Sequence, residues 1–496
     1  MDNRRKIAQL IIARLNGVNI SKEFDYYRSL VKQGIGGFII FGGRTREVRD
    51  GIREIQKIAD IPLFISSDLE RGLGQQLEGG TLFPHAMAIA HAVNRKKRAD
   101  VSLLRRSIKV MAEEAKAVGI NTVFSPVMDV NTNPENPIIC IRAFAHDPEE
   151  TAWFGREFIK GLQKEGIMAC AKHFPGHGDT SQDSHRELPL VKADMRRLKR
   201  VELYPFNQAV KAKVKMMMVG HLKVPAIDKS FPASLSQKTI GGLLGKKMRY
   251  KGLVVTDAMN MKAVSGNTMK SEGDACIKAL IAGADILLHP SDPEYLLDLL
   301  TDNINKIEHR VEESFKRIVN AKMAFYHVST SENIRTVGKR ENRKTAYELA
   351  KRSMGDLKVK IASGERISLL VIDDDDSHSG EVFIKMVTGR LRNVRVFYIN
   401  NKSKKLPASI KDTILIAAVF SSVSAWKGSS RLSSGLMNLL KKSIRASRYS
   451  FVTGFCSPYI LEGIEAEKVI NACSDTEVMQ EVAAEVFNPL YHEGGR

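Results

Sequence analysis

The sequence predicts an α/β protein, in which a (β/α)8 barrel is followed by a smaller, αβα sandwich-like domain with an open sheet. Up to about residue 290, short apolar runs alternate with amphipathic stretches. This alternation is typical of parallel strands whose two faces are buried. After a polar segment, a second and shorter α/β pattern fills the rest of the 496 residues. The predicted domains are the barrel at 1–327, a linker at 328–342 and the second domain at 343–496.

Eight apolar runs are the predicted barrel strands, and eight strands within about 290 residues are enough to close a barrel of this type. The runs are Ala8–Leu15, Gly37–Phe41, Pro62–Ser67, Thr122–Val127, Met168–Ala171, Met216–Val219, Leu253–Thr256 and Ala284–Leu288. Helices are expected at Ala99–Ala117, Pro148–Glu165 and Met195–Val214, with a final long helix at Tyr295–Tyr326.

The second domain is predicted from four further strand-like runs, enough for a small open sheet. They are Ile367–Ile372, Val394–Ile399, Thr413–Phe420 and Phe451–Phe455. The preceding segment, Val328–Asn342, is polar and aperiodic, as expected of a linker. Four consecutive aspartates, 373–376, follow the first of these runs. We interpret them as an exposed acidic turn, with cation binding as the alternative.

Polar residues directly follow six of the eight predicted barrel strands. In a barrel, these positions share the C-terminal rim, where barrel enzymes carry their chemistry. A single polar residue there could be an incidental cap, but six indicate a shared site. The residues are Asp68, Asp129, the pair Lys172-His173, His221, Asp257 and His289.

The composition gives 76 basic and 56 acidic residues, a net charge of +20. Such a balance could indicate nucleic acid or another polyanion as a partner. However, the basic residues are spread along the chain in short clusters, and no nucleic-acid motif is present. We therefore expect a solvated basic surface and no nucleic-acid partner.

The five cysteines predict neither a disulfide framework nor a zinc site, because their number is odd and no CxxC pair occurs. The segment Met1–Leu15 starts with basic residues, but Arg14 interrupts its apolar run and no small-residue cleavage site follows. No apolar run reaches the roughly 18 residues of a membrane span. We expect a cytoplasmic protein without a membrane partner.

The densest group of reactive side chains lies in the segment Lys172–His185, which holds three histidines, two aspartates and a lysine among turn-forming residues. One interpretation is a metal site, but the spacing matches no zinc signature and we expect no metal. The other is an acid/base dyad of Asp183 and His185, in which the carboxylate fixes the tautomer of the imidazole and raises its basicity. The metal alternative would use His173, His177, Asp179 and His185.

A second feature is Asp257, which follows the apolar run Leu253–Thr256. Asp after a strand is often a helix N-cap, but at the base of a barrel pocket an ionised carboxylate can also attack the anomeric carbon of a sugar. The sequence contains no GxSxG elbow, no Walker A motif and no dinucleotide fingerprint. We therefore expect no cofactor.

With these motifs, the sequence resembles glycoside hydrolase family 3, in particular its bacterial β-N-acetylhexosaminidase branch, over about residues 5–325. The most specific match is the KHFPGHG loop with its DSH dyad. The other matching segments, in family order, are 125–131 (SPVMDVN), 141–144 (IRAF), 232–236 (PASLS) after His221, and 256–261 (TDAMNM). Residues 343–496 are similar to a shortened second domain of two-domain members.

The resemblance implies a retaining β-N-acetylglucosaminidase that acts on wall-derived fragments. It implies that Asp257 is the nucleophile, and that His185, oriented by Asp183, is the acid/base. The residues implied to hold the sugar hydroxyls are Asp68, Arg142, Lys172 and His173. We also expect the loop 175–184 to move during catalysis, because Gly176 and Gly178 precede the dyad.

Two positions depart from the family pattern: Arg71 falls out of its usual place, and Cys140 stands where Gly is more usual. The β-glucosidases of the family are the nearest alternative, but they typically follow the nucleophile with Trp, and here Ala258 follows Asp257. Phosphorolysis is another alternative, because a histidine does not repel phosphate as a carboxylate would. A catalytically silent sugar-binding barrel would be expected to lack Asp257 or His185.

Overall fold

The computed structural model describes residues 1–180, 188–266, 268–326, 333–375, 379–403, 405–422 and 431–490. The chain forms two compact units. The first comprises Met1–Leu82, Arg105–Ile139 and Ala143–Asn342. The second comprises Phe83–Leu104, Cys140–Arg142 and Arg343–Arg496.

The first unit is built on an eight-stranded, all-parallel sheet that closes into a barrel. Its strands follow the chain order, and β8 pairs with β1, while a bridge between Val255 and Ile286 links β7 to β8. The strands are β1 (Ile11–Asn16), β2 (Gly37–Phe41), β3 (Phe64–Ser67), β4 (Thr122–Val123), β5 (Met168–Phe174), β6 (Met216–Val219), β7 (Leu253–Thr256) and β8 (Leu287–Leu288). The predicted (β/α)8 barrel is thereby confirmed.

Five predicted strands, β1, β3, β4, β5 and β8, have different bounds in the structure. The strand β5 continues to Phe174, so Lys172 and His173 lie within it and not after it. Ala8 ends a short helix, so β1 begins only at Ile11. The run Thr122–Val127 forms a strand only over its first two residues. Pro126 has no backbone N–H to donate, which interrupts the ladder; the pairing resumes at the bridge between Val127 and Lys172.

Helices cover the barrel strands with amphipathic faces. In α3, Val48, Ile52 and Ile55 are buried at the helical spacing. In chain order, the helices up to residue 326 are α1 (Asn3–Ala8), α2 (Phe24–Lys32), α3 (Thr45–Lys57), α4 (Ala86–Ala92), α5 (Arg98–Val118), α6 (Pro148–Lys164), α7 (Met195–Arg200), α8 (Leu203–Lys211), α9 (Lys262–Ser265), α10 (Met269–Ala282), α11 (Pro293–Asp302) and α12 (Ile304–Tyr326). Of these, α4 and the first part of α5 belong to the second unit. A π-helix spans Lys238–Lys247.

Two predicted helices are each divided in the structure. The stretch Met195–Val214 forms α7 and α8, because the chain leaves helical hydrogen bonding at Val201 and Glu202. The stretch Tyr295–Tyr326 forms α11 and α12, with Asn303 between them. A periodic apolar pattern continues across both breaks, so it could not show them.

The second unit carries a five-stranded parallel sheet in the order β11-β10-β12-β13-β14. The four predicted strands are confirmed, and β9, β14 and β15 were not predicted; β9 and β15 pair in a separate two-stranded sheet. The strands are β9 (Val359–Ala362), β10 (Ile367–Asp373), β11 (Val394–Asn400), β12 (Ile414–Phe420), β13 (Tyr449–Phe455), β14 (Lys468–Asn471) and β15 (Phe487–Leu490). The helices are α13 (Arg340–Met354), α14 (Glu381–Arg390), α15 (Ser434–Ala446) and α16 (Glu477–Glu485).

All five cysteines are buried and free. None of the described helices combines the length and the apolar character that a bilayer-spanning helix requires.

Candidate active site

Asp257 directly follows β7 at the C-terminal end of the barrel, and its side chain is partly exposed. Its backbone N–H donates to the carbonyl oxygen of Val219 at the end of β6 (3.0 Å). The N–H of Ala258 donates to Oδ1 of Asp257 (2.8 Å). Among the described residues, Oδ2 has no hydrogen-bond partner. The strand end therefore fixes the carboxylate and leaves one oxygen available.

His221 supports this turn from the end of β6. Its Nε2 lies 3.1 Å from the carbonyl oxygen of Ala258, and its Nδ1 lies 2.7 Å from Oγ of Ser234. Since a carbonyl can only accept, Nε2 carries the proton and Nδ1 accepts from the serine hydroxyl. Burial lowers the pKa of His221, which agrees with this neutral tautomer. His221 therefore holds the peptide that follows Asp257.

The surroundings keep Asp257 ionised. Burial by itself would raise its pKa, but the imidazole of His173, the N–H of Ala258 and the ammonium of Lys172 together lower the pKa below its ordinary value. A carboxylate that is ionised at neutral pH can act as a nucleophile.

Lys172, on β5, forms a trio with two carboxylates that follow β3. Its Nζ lies 2.6 Å from Oδ1 of Asp68 and 2.7 Å from Oε1 of Glu70. The Lys172 side chain is 3% exposed and that of Asp68 is 28% exposed. Asp68 is therefore the member of the trio that is most open to solvent, and the ammonium of Lys172 neutralises part of its charge.

Asp129 fixes His173, which follows Lys172 on β5, and the turn after that strand. It is fully buried and accepts from Nδ1 of His173 (2.7 Å) and from the backbone N–H of His177 (2.7 Å). Burial opposes ionisation of Asp129, but His173 and these hydrogen bonds hold its pKa below the ordinary value. Nε2 of His173 has no hydrogen-bond partner among the described residues; because Nδ1 donates to Asp129, Nε2 of the neutral ring can accept from a bound hydroxyl.

The turn at 176–180 is fastened to the barrel by close packing and hydrogen bonds. Nδ1 of His177 lies 2.7 Å from Oγ1 of Thr180. A Cβ at Gly178 would lie 1.8 Å from the carbonyl oxygen of Val130, so only glycine fits there. Arg197 pairs with Asp179 (2.9 Å) and with Glu202 (3.2 Å). The two glycines that predicted a moving loop thus lie in a tightly packed turn.

Several predicted site residues are brought together at the rim, namely Asp68, Lys172, His173 and Asp257. Arg142 lies in a short 3-10 helix, Cys140–Arg142, that belongs to the second unit. The predicted dyad, Asp183 and His185, lies outside the described residues. Within the described ranges, no group of three or more His, Cys, Asp or Glu residues is arranged to hold a metal ion.

The sequence assigned no catalytic or sugar-binding role to Glu70, Asp129, His177 and His221, although His177 was a ligand in the metal alternative. The structure places all four in the hydrogen-bond networks around the site. Asp129 and His221 are polar residues that follow predicted strands, and this position was the signal that could have assigned them to the site. Glu70 lies two residues beyond Asp68, and His177 lies within the glycine-rich turn. No spacing rule distinguishes such residues from turn formers.

Comparisons with known proteins identify the family of the chain. The family model described as "Glycosyl hydrolase family 3 N terminal domain" matches residues 3–321. Beta-hexosaminidase A of Pseudoalteromonas piscicida is 31% identical over 360 residues, which cover 65% of this chain and 59% of that protein. A Cellulomonas fimi protein named Beta-N-acetylglucosaminidase/beta-glucosidase is 28% identical over 302 residues, which cover 58% of this chain and 52% of that protein. The chain thus spans between a half and three fifths of these relatives.

A solved structure has the same fold over nearly the whole chain. It is a glycoside hydrolase family 3 beta-N-acetylglucosaminidase from Paenibacillus sp. str. FPU-7, with a TM-score of 0.84 and 25% sequence identity. The match covers 98% of this chain and 96% of that one. The matching family model, the barrel and the carboxylate at the end of β7 lead to one conclusion: this chain belongs to glycoside hydrolase family 3.

Proposed function

We propose that the chain is a retaining, exo-acting β-N-acetylglucosaminidase with Asp257 as its nucleophile. The observation that carries the proposal is the state of this carboxylate. It is partly exposed at the C-terminal rim, its pKa is lowered, and Oδ2 has no hydrogen-bond partner among the described residues. The names of the relatives from Pseudoalteromonas and Paenibacillus support the choice of sugar.

In the first step, Oδ2 of Asp257 forms a bond to the anomeric carbon while the bond to the leaving oxygen breaks. His185, oriented by Asp183, gives its proton to that oxygen, so that the aglycone leaves as a neutral alcohol. In the second step, neutral His185 takes a proton from water, whose oxygen attacks the anomeric carbon and releases Asp257. Two inversions at one carbon retain the β configuration.

The sugar is held, in this proposal, by Asp68, Lys172 and His173. The partly exposed carboxylate of Asp68 accepts hydrogen bonds from hydroxyls, and the ammonium of Lys172 lies 2.6 Å from it. The ring of His173 lies close enough to Asp257 to lower the pKa of that carboxyl, so a hydroxyl bound at Nε2 would be near the nucleophile. A retaining enzyme gains from hydrogen bonds that strengthen as charge develops on the sugar.

The test is hydrolysis of 4-nitrophenyl β-N-acetylglucosaminide by the wild type and two variants, Asp257→Ala and His185→Ala. We expect Asp257→Ala to abolish turnover and His185→Ala to lower kcat by about 100- to 10,000-fold. Exposed residues of the same types provide matched controls, Asp274→Ala and His309→Ala. Proton NMR of the first product should show the β-anomer; an initial α-anomer would contradict a retaining mechanism.

The relative from Cellulomonas, whose name includes beta-glucosidase, favours a second candidate within the same fold. The β-glucoside is therefore assayed beside the acetamido sugar, with and without phosphate. A preference for the glucoside would change the sugar but keep the nucleophile. Activity that requires phosphate would indicate phosphorolysis. A folded wild type that binds sugar but turns over neither glycoside would indicate a silent binding barrel.

As natural substrate we propose cell-wall fragments that end in N-acetylglucosamine, processed in the cytoplasm. The resemblance to the bacterial branch supports this substrate, and the net charge of +20 would favour anionic fragments. Purified muropeptides should release N-acetylglucosamine in the presence of the wild type but not of Asp257→Ala. Cell fractionation tests the location.

A further inference from the structure

Arg14 is a charged residue on the inner face of the barrel. Phe38 of β2 packs against Tyr27 of α2, with ring centroids 5.7 Å apart, so Phe38 faces the surrounding helices. Side chains alternate between the two faces of a strand, so Ile39 and Phe41 lie on the face opposite to Phe38 and point inward. Since Arg14 of β1 pairs with Ile39, the Arg14 side chain also points inward.

At the open end of the barrel, Arg14 is part of an aromatic wall. Its guanidinium carbon lies 5.3 Å from the centroid of the Phe41 ring, and this ring lies 5.6 Å from that of His289. His289 follows β8, and its Nε2 lies 3.5 Å from Nδ2 of Asn260, three residues after Asp257. The wall formed by Arg14, Phe41 and His289 therefore borders the proposed nucleophile's loop.

The positive charge of Arg14 is available to a ligand. The side chain is exposed, and in the described part of the chain it makes neither an ion pair nor a hydrogen bond. Burial first, and then the charge of Arg14, lower the pKa of His289 to about 4. His289 is therefore neutral at physiological pH, and Arg14 is the cation of this wall.

We infer that Arg14, Phe41 and His289 form a subsite for an anionic group carried by the substrate next to the bound sugar. The inference rests on the proposed function. An exposed guanidinium that is fixed over an aromatic ring can bind a carboxylate or a phosphate through two parallel hydrogen bonds. The anion can be attached either to the aglycone or to the sugar itself, and these two sources share the same recognition chemistry.

The test is equilibrium binding of hydrolysis-resistant thioglycosides, so that its readout does not depend on turnover. Three ligands are compared by calorimetry: phenyl 1-thio-β-N-acetylglucosaminide, its 4-carboxyphenyl analogue, and its 6-phosphate. The first is neutral, the second carries the anion on the aglycone, and the third carries it on the sugar. The variants are Arg14→Gln and, as the matched control on the exposed face of α3, Arg53→Gln.

We expect one of the anionic ligands to bind to the wild type about 10- to 100-fold more tightly than the neutral one. Arg14→Gln should abolish this advantage and change the neutral ligand's Kd by less than about twofold, whereas Arg53→Gln should preserve it. Added salt should reduce the advantage. The ligand that shows it identifies whether the aglycone or the sugar carries the anion.

Equal affinity for all three ligands, or an advantage that survives Arg14→Gln, would overturn the inference. The proposed function is judged separately, by hydrolysis of the neutral O-glycoside. A glucose series of the same three ligands keeps the comparison valid if the sugar is glucose. If no ligand of either series binds, the inference is wrong, and the proposed function is still decided by the hydrolysis assay.

Discussion

Asp129 is the residue whose replacement should couple stability and activity most directly. It is fully buried, and its two oxygens accept from the backbone N–H groups of His173 and His177 and from Nδ1 of His173. In Asp129→Asn, one oxygen becomes an NH2 group that must face at least one of these donors. The substitution therefore removes a charge-assisted bond and leaves a buried donor without an acceptor.

Leaving a buried donor without an acceptor costs about 1–3 kcal/mol, and more where a charged group takes part. We expect Asp129→Asn to lower the free energy of unfolding by that amount, and kcat/KM by about 100-fold, because the imidazole of His173 loses its fixed position. The pKa of Asp129 is lowered in the folded state, so its contribution is present above the ordinary carboxyl pKa of about 3.9. The difference from wild type should therefore shrink as the pH falls below about 4.

The assay for stability is urea unfolding of the wild type, of Asp129→Asn and of the exposed control Asp274→Asn, at pH 7 and at several values down to pH 3. Kinetics on the chromogenic glycoside are measured with the same samples. An unfolding free energy for Asp129→Asn within 0.5 kcal/mol of wild type would refute the reasoning, since buried donors would then tolerate an amide. A stability loss with unchanged kcat/KM would show that His173 does not need this partner.

Three further predictions concern the same rim. His177 is buried, and its pKa is lowered from 6.5 to about 4. Between these two values the unfolded chain binds a proton that the folded chain does not, so the free energy of unfolding should fall by about 3 kcal/mol from pH 6.5 to pH 4. In urea titrations, His177→Gln should flatten this dependence on pH. Gly178→Ala should cost at least about 3 kcal/mol, measured by thermal unfolding, because its Cβ would overlap the backbone of Val130; Gly389→Ala, where the space is open, is the control. Ser234→Ala should lower kcat about 10-fold with little change in KM, because Nδ1 of His221 loses its donor and the peptide after Asp257 is held less firmly. An unchanged kcat would show that His221 does not position Asp257.

The barrel was predictable because its strands are buried on both faces. Runs such as Met216–Val219 and Leu253–Thr256 match the observed strands residue by residue. The errors arose where local chemistry acts against the pattern. Pro126 interrupts β4, and Asn303 separates two helices whose apolar periodicity continues across it. Short edge strands such as β14 carry too few buried residues to stand out.

The site was predictable to the extent that its residues end strands. Asp68 and Asp257 were found in this way. Lys172 was found from a predicted strand end at Ala171, whereas β5 continues to Phe174. The partners of these residues were harder to find. Lys172, for example, pairs with Asp68, which lies 104 residues from it, and with Glu70. Contacts across such distances have no signature in a single sequence.

The three aspartates of the rim differ in how their charge is balanced, and this difference assigns their roles. Asp129 has both oxygens occupied by buried donors, so it can only position other residues. Asp68 has an ammonium 2.6 Å away, which weakens it as a nucleophile but suits it to accept from hydroxyls. Asp257 has no ion-pair partner within 4 Å among the described residues, and its pKa is lowered by charges farther away. A carboxylate that is ionised without being neutralised by direct contact keeps its nucleophilicity. On electrostatic grounds alone, Asp257 is the residue of this rim best suited to attack an anomeric carbon.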